Sequence, residues 1–149
     1  MNFNSQICTT KEQSERLLSL GLKKETADMY YPNGVQDSEH IIRAIYPAFW
    51  ESDRKIDAFI RGKVTPAWSL HRLIEMLPKR IKNIKEGWDM CSHDIAFVIT
   101  EELDVSYEEP FEDEPCYNKY FREGNLYAKV VNCIEWLIKE GHFNKEYLE

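Results

Sequence analysis

The sequence has no long hydrophobic run and few glycines, and both shortages limit what the chain can be. Its apolar runs, such as Ile95 to Ile99, are far below the roughly 20 residues that cross a bilayer, so no membrane span is expected. The six glycines are dispersed and form no phosphate-binding loop. The segment Met1 to Thr10 has neither a basic start nor an apolar stretch of signal-peptide length, which predicts a cytoplasmic protein.

Cysteines are few and widely spaced. The four of them, Cys8, Cys91, Cys116 and Cys133, include no C-x-x-C pair, which favours reduced thiols over a disulfide framework or a zinc site. The acidic residues do not follow the spacing of a calcium-binding EF-hand. The sequence therefore predicts no metal and no cofactor.

Charge is unevenly distributed along the chain. The net charge of −7 comes from one stretch that contains no base: Glu101, Glu102, Asp104, Glu108, Glu109, Glu112, Asp113 and Glu114. Of the 26 acidic residues, 18 lie elsewhere, against 19 basic residues, so the rest of the chain is close to neutral. A smaller basic run comprises Lys79, Arg80, Lys82 and Lys85.

Length and composition predict one folded unit. The 149 residues are 43% hydrophobic and 13% aromatic, enough apolar material to offset the entropy lost on folding. No internal repeat and no dividing linker is present, so we predict a single domain over residues 1–149.

Helical signals dominate the first half. Thr10 and Gln13 form a capping-box pattern before a helix predicted over Lys11 to Leu20, which Gly21 ends in a Schellman stop. Weaker patterns predict helical turns at Glu25 to Tyr30, at Ile41 to Ile45, and at Ile56 to Ile60 after a cap at Ser52.

Two further helices have clear apolar stripes. Thr65 and Pro66 form a cap and first-turn pair ahead of a stripe that Pro78 ends. The C-terminal stripe predicts an amphipathic helix over Leu126 to Glu140, with Lys129 on the face opposite the stripe. We expect one shared core made of Leu73, Ile74, Leu77, Ile95, Phe97, Val130, Ile134 and Leu137.

Strand signals follow Gly87. Asp94 to Thr100 favours a strand, with Trp88 to Cys91 as its hairpin partner and Val105 to Tyr107 as a third strand. The acidic stretch, with Pro110 inside it and Pro115 directly after it, favours a loop. The predicted fold class is α+β, with several helices packed on one face of a small antiparallel sheet of about three strands.

Two segments carry a resemblance to other proteins. PAWSLHRLIEMLPKRI at Pro66 to Ile81, together with CTTKEQSERLLSLGLKKETADMYY at Cys8 to Tyr31, resembles small uncharacterised proteins of gut bacteria, several of which are encoded by prophages or mobile elements. These proteins have no established activity, so the resemblance implies a genomic setting and no catalytic residue.

Side chains capable of catalysis or metal binding are sparse. His71 and Glu75 share a helix face but supply too few ligands for a metal. Cys91 and His93 lie on one side of a predicted strand and suggest, as an alternative, a small Cys/His-dependent hydrolase or transferase, although no third group orients the pair. A sequence pI near 5.2 disfavours direct nucleic-acid binding by the basic run.

The acidic stretch interleaves carboxylates with aromatic residues, a mixture suited to steering and anchoring a basic protein. We predict a partner-binding site formed by Glu108, Glu109, Phe111, Glu112, Asp113, Tyr117 and Tyr120.

The leading hypothesis for the function is a non-enzymatic interaction or regulatory protein. A further alternative is a structural oligomer of a mobile element, in which the acidic loop of one copy meets the basic run of another. The sequence leaves the partner and the oligomeric state open.

Overall fold

This computed structural model describes residues 6–32, 43–45, 48–86, 89–109 and 118–149, with side chains described except in 83–86 and 89–94. The chain divides into two compact units, one of Met1–Ile74 with Lys145–Glu149 and one of Glu75–Asn144. Each unit is described by itself below. The single-domain organisation stays a prediction.

The first helix, α1 (Lys11–Ser19), begins and ends as its sequence predicts. The Thr10 hydroxyl accepts the N–H of Gln13 at 3.2 Å, and the Gln13 side chain accepts the N–H of Thr10 at 3.0 Å. Gly21 has a φ of +89°, where a side chain is disfavoured. The N–H groups of Gly21 and Leu22 bond to carbonyls of the last turn, which completes the Schellman motif.

A three-stranded antiparallel sheet belongs to the same unit. Its strands are β1 (Met29–Pro32), β2 (Arg43–Ala44) and β3 (Val64–Ala67), in the order β2-β1-β3. The helical turn predicted at Glu25 to Tyr30 is therefore wrong in its second half, because only a 3₁₀ turn, Lys24–Thr26, precedes β1. The helix predicted through Ile45 is also wrong, since its described residues include β2, while residues 41 and 42 lie outside the description.

Thr65 and Pro66 do not cap a helix. Both lie in β3, where Pro66 pairs with Tyr30 on an edge strand, the position in a sheet that tolerates a residue without an N–H. The helix after them, α3 (Leu70–Met76), begins instead at Ser69, whose hydroxyl accepts the N–H of Arg72 at 3.1 Å. The helix before β3 is α2 (Lys55–Arg61).

The second unit contains a four-stranded antiparallel sheet. Its strands, in spatial order, are β4 (Arg80–Glu86), β5 (Asp89–Ile99), β6 (Val105–Glu108) and β7 (Asn118–Phe121). The hairpin partner predicted at Trp88 to Cys91 is wrong, because Asp89 to Cys91 belong to β5 itself and β4 pairs with β5; Trp88 lies outside the description. The basic run therefore supplies a strand, and β7 was not predicted.

The C-terminal helix, α4 (Leu126–Lys139), packs on β6 and β7. Asn125 caps it by accepting the N–H of Ala128 at 3.0 Å, and Gly141, with a φ of +75°, follows its end. The rings of Tyr107 and Phe121 lie 6.0 and 5.9 Å from the ring of Trp136 on this helix. Val130, Ile134 and Leu137 are fully buried, as the stripe predicts.

The α+β class is confirmed, but the predicted architecture is corrected. The described residues form two antiparallel sheets in place of one sheet of about three strands, and the helices do not all lie on one face of a sheet. Of the eight predicted core residues, Ile74 and Phe97 are only half-buried. The other six are buried: Leu73, Leu77, Ile95, Val130, Ile134 and Leu137.

Candidate functional site

Three of the seven predicted partner-binding residues lie in the described part of the chain. Glu108 ends β6, Glu109 follows it, and Tyr120 lies in β7. The other four, Phe111, Glu112, Asp113 and Tyr117, lie outside the described residues. The site can therefore be built only from the ends of β6 and β7.

Glu108 and Tyr120 lie on the same face of the sheet. Tyr120 pairs with Ser106, and Glu108 is two residues further along β6, so the strand alternation points both side chains the same way. The Tyr120 hydroxyl donates a hydrogen bond of 3.2 Å to Glu108 Oε2. Desolvation raises the pKa of Tyr120, and the hydrogen bond with Glu108 raises it further. The ring is 37% exposed, so this pair faces solvent.

Arg122 extends the pair into a row of alternating charges. Its guanidinium carbon lies 4.4 Å from the centre of the Tyr120 ring, and its Nε lies 3.3 Å from Asp104 Oδ2. Lys129 Nζ approaches the other oxygen of Asp104 at 2.6 Å. We call these five residues, Glu108, Tyr120, Arg122, Asp104 and Lys129, the β7 strip. An aromatic ring and a carboxylate each contact Arg122, although its side chain is 65% exposed.

Sequence reasoning missed two members of the strip and misplaced a third. Arg122 directly follows β7, a strand that was not predicted, and its contact with Asp104 depends on the pairing of β7 with β6. Lys129 is buried, although the helical pattern predicts it on the exposed face. Its Nζ also donates to the Leu103 carbonyl at 3.1 Å, so burial is compensated by two oxygen partners.

The aromatic residues near the acidic stretch divide between core and surface. Tyr107 and Phe121 are buried, and the Tyr107 hydroxyl donates to the Pro78 carbonyl at 2.6 Å. Burial raises the pKa of Tyr107 well above its ordinary value. Tyr120 alone among the described aromatics from 107 to 121 is directed to solvent. Two of these three aromatic residues therefore pack in the core, and the third lies at the surface.

Ser106 lies on the same sheet face as Glu108 and Tyr120. It is fully buried, and its hydroxyl has no hydrogen-bond partner, the only buried side-chain oxygen or nitrogen in the described part of the chain of which this is true. A buried hydroxyl without a partner destabilises the fold.

No protein-family model, no curated protein and no solved structure matches this chain. Within the described ranges, no helix has the length and apolar character needed to span a membrane.

The thiols with described side chains are poorly placed for catalysis. Cys8 and Cys133 are buried, and burial raises the pKa of each thiol, which disfavours the thiolate. Cys91 and His93 lie in β5, but their side chains are outside the description, as is Cys116. No group of three or more His, Cys, Asp or Glu residues that could hold a metal occurs among the residues described, and His71 and Glu75 are both exposed.

A cleft of about 470 Å³ opens in the first unit. It is lined by Glu25, Ala27, Asp28, Ile45, Ala48, Phe49, Trp50 and Glu51. Both oxygens of Asp28 accept hydrogen bonds from Ser69, its backbone N–H and its hydroxyl, and thereby position the start of α3. Glu25 and Glu51 are exposed to water. The cleft thus has a structural carboxylate and two solvated ones.

Proposed function

We propose that this chain is a cytoplasmic, non-enzymatic interaction or regulatory protein that binds a basic protein segment. The contact surface is the predicted partner-binding site, of which Glu108, Glu109 and Tyr120 are described. The observation that carries the proposal is the outward-facing Tyr120, whose hydroxyl is bound to Glu108 while its two aromatic neighbours in the strand pair are buried.

The low entropy cost of covering Tyr120 and Glu108 favours a binding role for this pair. Tyr120 keeps a large ring at the surface, and its hydroxyl is oriented by a carboxylate, so little side-chain entropy is lost when a partner covers it. Tyrosines of this kind are enriched among residues that dominate binding energy. The ring supplies contact area, and the carboxylates supply attraction for a cationic side chain.

The surrounding charge supports a basic partner. Asp104 contacts Arg122 and Lys129, so its charge is compensated locally. The remaining seven acids of the acidic stretch have no base among them in sequence, and clustered charge of one sign speeds the approach of an oppositely charged partner.

The mobile-element setting suggested by the sequence resemblance supports one subtype of this function. Clustered carboxylates can imitate the phosphates of a nucleic acid and occupy a basic site on a host protein. Imitation of a nucleic acid requires the same acidic surface as binding of any basic protein segment, so one experiment tests that surface for both.

The test uses a short synthetic peptide of alternating lysine and leucine as the basic probe. We expect it to bind the protein with an affinity that falls as salt rises, because exposed charge contacts are screened. The double variant E108Q/E109Q should weaken binding and flatten the salt dependence, and Tyr120→Ala should mainly speed dissociation. Titration calorimetry and stopped-flow kinetics measure these effects.

A matched control removes the same charge elsewhere. The variant E15Q/E140Q neutralises two exposed carboxylates on α1 and at the end of α4. It should bind the peptide as the parent does. Equal loss of binding in both variants would show that only net charge matters and would refute a localised site.

A further inference from the structure

The helix α2 exposes its apolar face to solvent. Ile56 and Phe59, three residues apart, are 64% and 62% exposed, and Ile60 beside them is half-buried. The spacing predicted from the sequence is confirmed as a helix, but its apolar stripe is directed away from the core of its unit. Two large apolar side chains side by side on a surface are typical of a contact site.

A buried carboxylate explains this orientation. Asp57 is only 3% exposed, and its carboxylate accepts hydrogen bonds from the Ser52 hydroxyl and from Arg54 Nε, the latter at 2.8 Å. Arg61, one turn further along, donates to the carbonyls of Phe49 and Ser52. These bonds hold the polar side of α2 inward, so the apolar side must face out.

Basic residues flank the apolar face. Lys55 and Lys63 are exposed, and Lys63 Nζ lies 4.1 Å from the centre of the Phe59 ring. Residues 54–63 contain four bases and a single acid, Asp57, which is buried. In a chain of net charge −7, this surface is locally positive.

A second exposed apolar side chain lies on an acidic surface. Leu103, in the turn between β5 and β6, is 54% exposed and has a φ of +60°, which is unusual for leucine. Glu101 and Glu102 beside it are exposed, and Ile99 is 36% exposed. Lys129 holds the turn in place through the Leu103 carbonyl and Asp104.

The two surfaces are complementary in charge and alike in apolar character. We propose that the β5–β6 turn of one copy docks on the α2 face of a second copy, with Leu103 against Ile56 and Phe59. Glu101 and Glu102 then meet Lys55 and Lys63. Each contact joins two different surfaces, one from each copy.

Sedimentation velocity of the full chain tests this. Across about 10 µM to about 1 mM, the range for interfaces of small area, the mean mass should rise with concentration. Raising the salt should reduce it, because the contact is partly ionic. Each of two variants, I56Q/F59Q on the helix and E101Q/E102Q/L103N on the turn, should weaken association about tenfold or more. Gln suits a helix, and Asn tolerates a positive φ, so circular dichroism should show both folded.

Mixing the two variants gives the sharpest outcome. Each retains the surface that the other lacks, so an equimolar mixture should form a 1:1 complex that does not grow further. A parent protein that stays monomeric to about 1 mM, a range that includes weak associations, would overturn the proposal. Continued association of the turn variant alone would also overturn it, because this would indicate contact between two α2 faces.

A lipid surface is the other occupant that the test can reveal. Parent protein that stays monomeric yet binds phosphatidylserine vesicles through Lys55 and Lys63 would assign the α2 face to a lipid surface instead. The residues differ from those tested with the basic peptide, so the two proposals can fail separately.

Discussion

Two buried serines show that a hydrogen-bond partner decides whether a buried hydroxyl stabilises or destabilises the fold. Ser14 and Ser106 are both buried serines with fully covered side chains. The Ser14 hydroxyl lies 2.8 Å from the hydroxyl of Thr9, whereas that of Ser106 has no partner. The same residue type therefore stabilises one site and destabilises the other.

Substitution of each serine by alanine measures this difference. Ser106→Ala should leave the free energy of unfolding unchanged or raise it by up to about 1 kcal/mol, because an unpaired hydroxyl is removed. Ser14→Ala should lower it by about 1 to 3 kcal/mol, because the buried Thr9 hydroxyl loses one of its two partners and keeps only the bond that it accepts from the Trp68 N–H. Urea unfolding followed by circular dichroism provides both values. A loss of stability in Ser106→Ala would mean that its hydroxyl is bonded in solution.

At the scale of helices and strands, signals contained within a few residues were predictable. The capping box of Thr10 and Gln13 and the stop at Gly21 are formed by neighbours in sequence, and the structure confirms them. The pair Thr65 and Pro66 has an equally good local signature, but pairing with β1 determines its conformation. Propensity is a weak guide where a tertiary partner competes.

The direction in which α2 faces could not be predicted for a related reason. Spacing alone cannot distinguish an apolar stripe that packs inward from one held outward by a buried carboxylate. Asp57, Ser52 and Arg54 decide this, and their hydrogen bonds depend on how the segment before the helix folds back. The same limit applies to the candidate site, because Glu108 and Asp104 were visible in the sequence, whereas the contact of Glu108 with Tyr120 and that of Asp104 with Arg122 were not.

Two helices with similar apolar stripes should respond differently to truncation. Ile134→Ala in α4 should lower the free energy of unfolding by about 2 to 5 kcal/mol, because a fully buried aliphatic side chain leaves a cavity. Phe59→Ala in α2 should change it by no more than about 0.5 kcal/mol, since the ring is largely exposed. Thermal and urea unfolding of both variants, at a protein concentration too low for association, tests the contrast. A large loss in Phe59→Ala would place the ring in the core and remove the α2 face as a contact surface.

Across the whole molecule, stability and surface chemistry are carried by different residues. Fully buried apolar side chains such as Leu17, Leu73 and Ile134 supply the cores of the two units. The pair of Glu108 and Tyr120, the α2 face and the β5–β6 turn place charge beside exposed apolar or aromatic groups, which contributes little to folding. These surfaces are therefore better suited to contact with a partner than to stabilising the fold.

Glu108, Glu109 and Tyr120 form the described part of the proposed binding surface for a basic segment. The most direct measurement is a ¹H–¹⁵N correlation spectrum recorded while the lysine–leucine peptide is added. We predict that shifts concentrate at Glu108, Glu109, Asn118 and Tyr120 and are lost in E108Q/E109Q, while the signals of Ile56 and Phe59 in α2 stay in place. Shifts spread evenly over the exposed acids, or centred outside residues 108–120, would refute this binding surface.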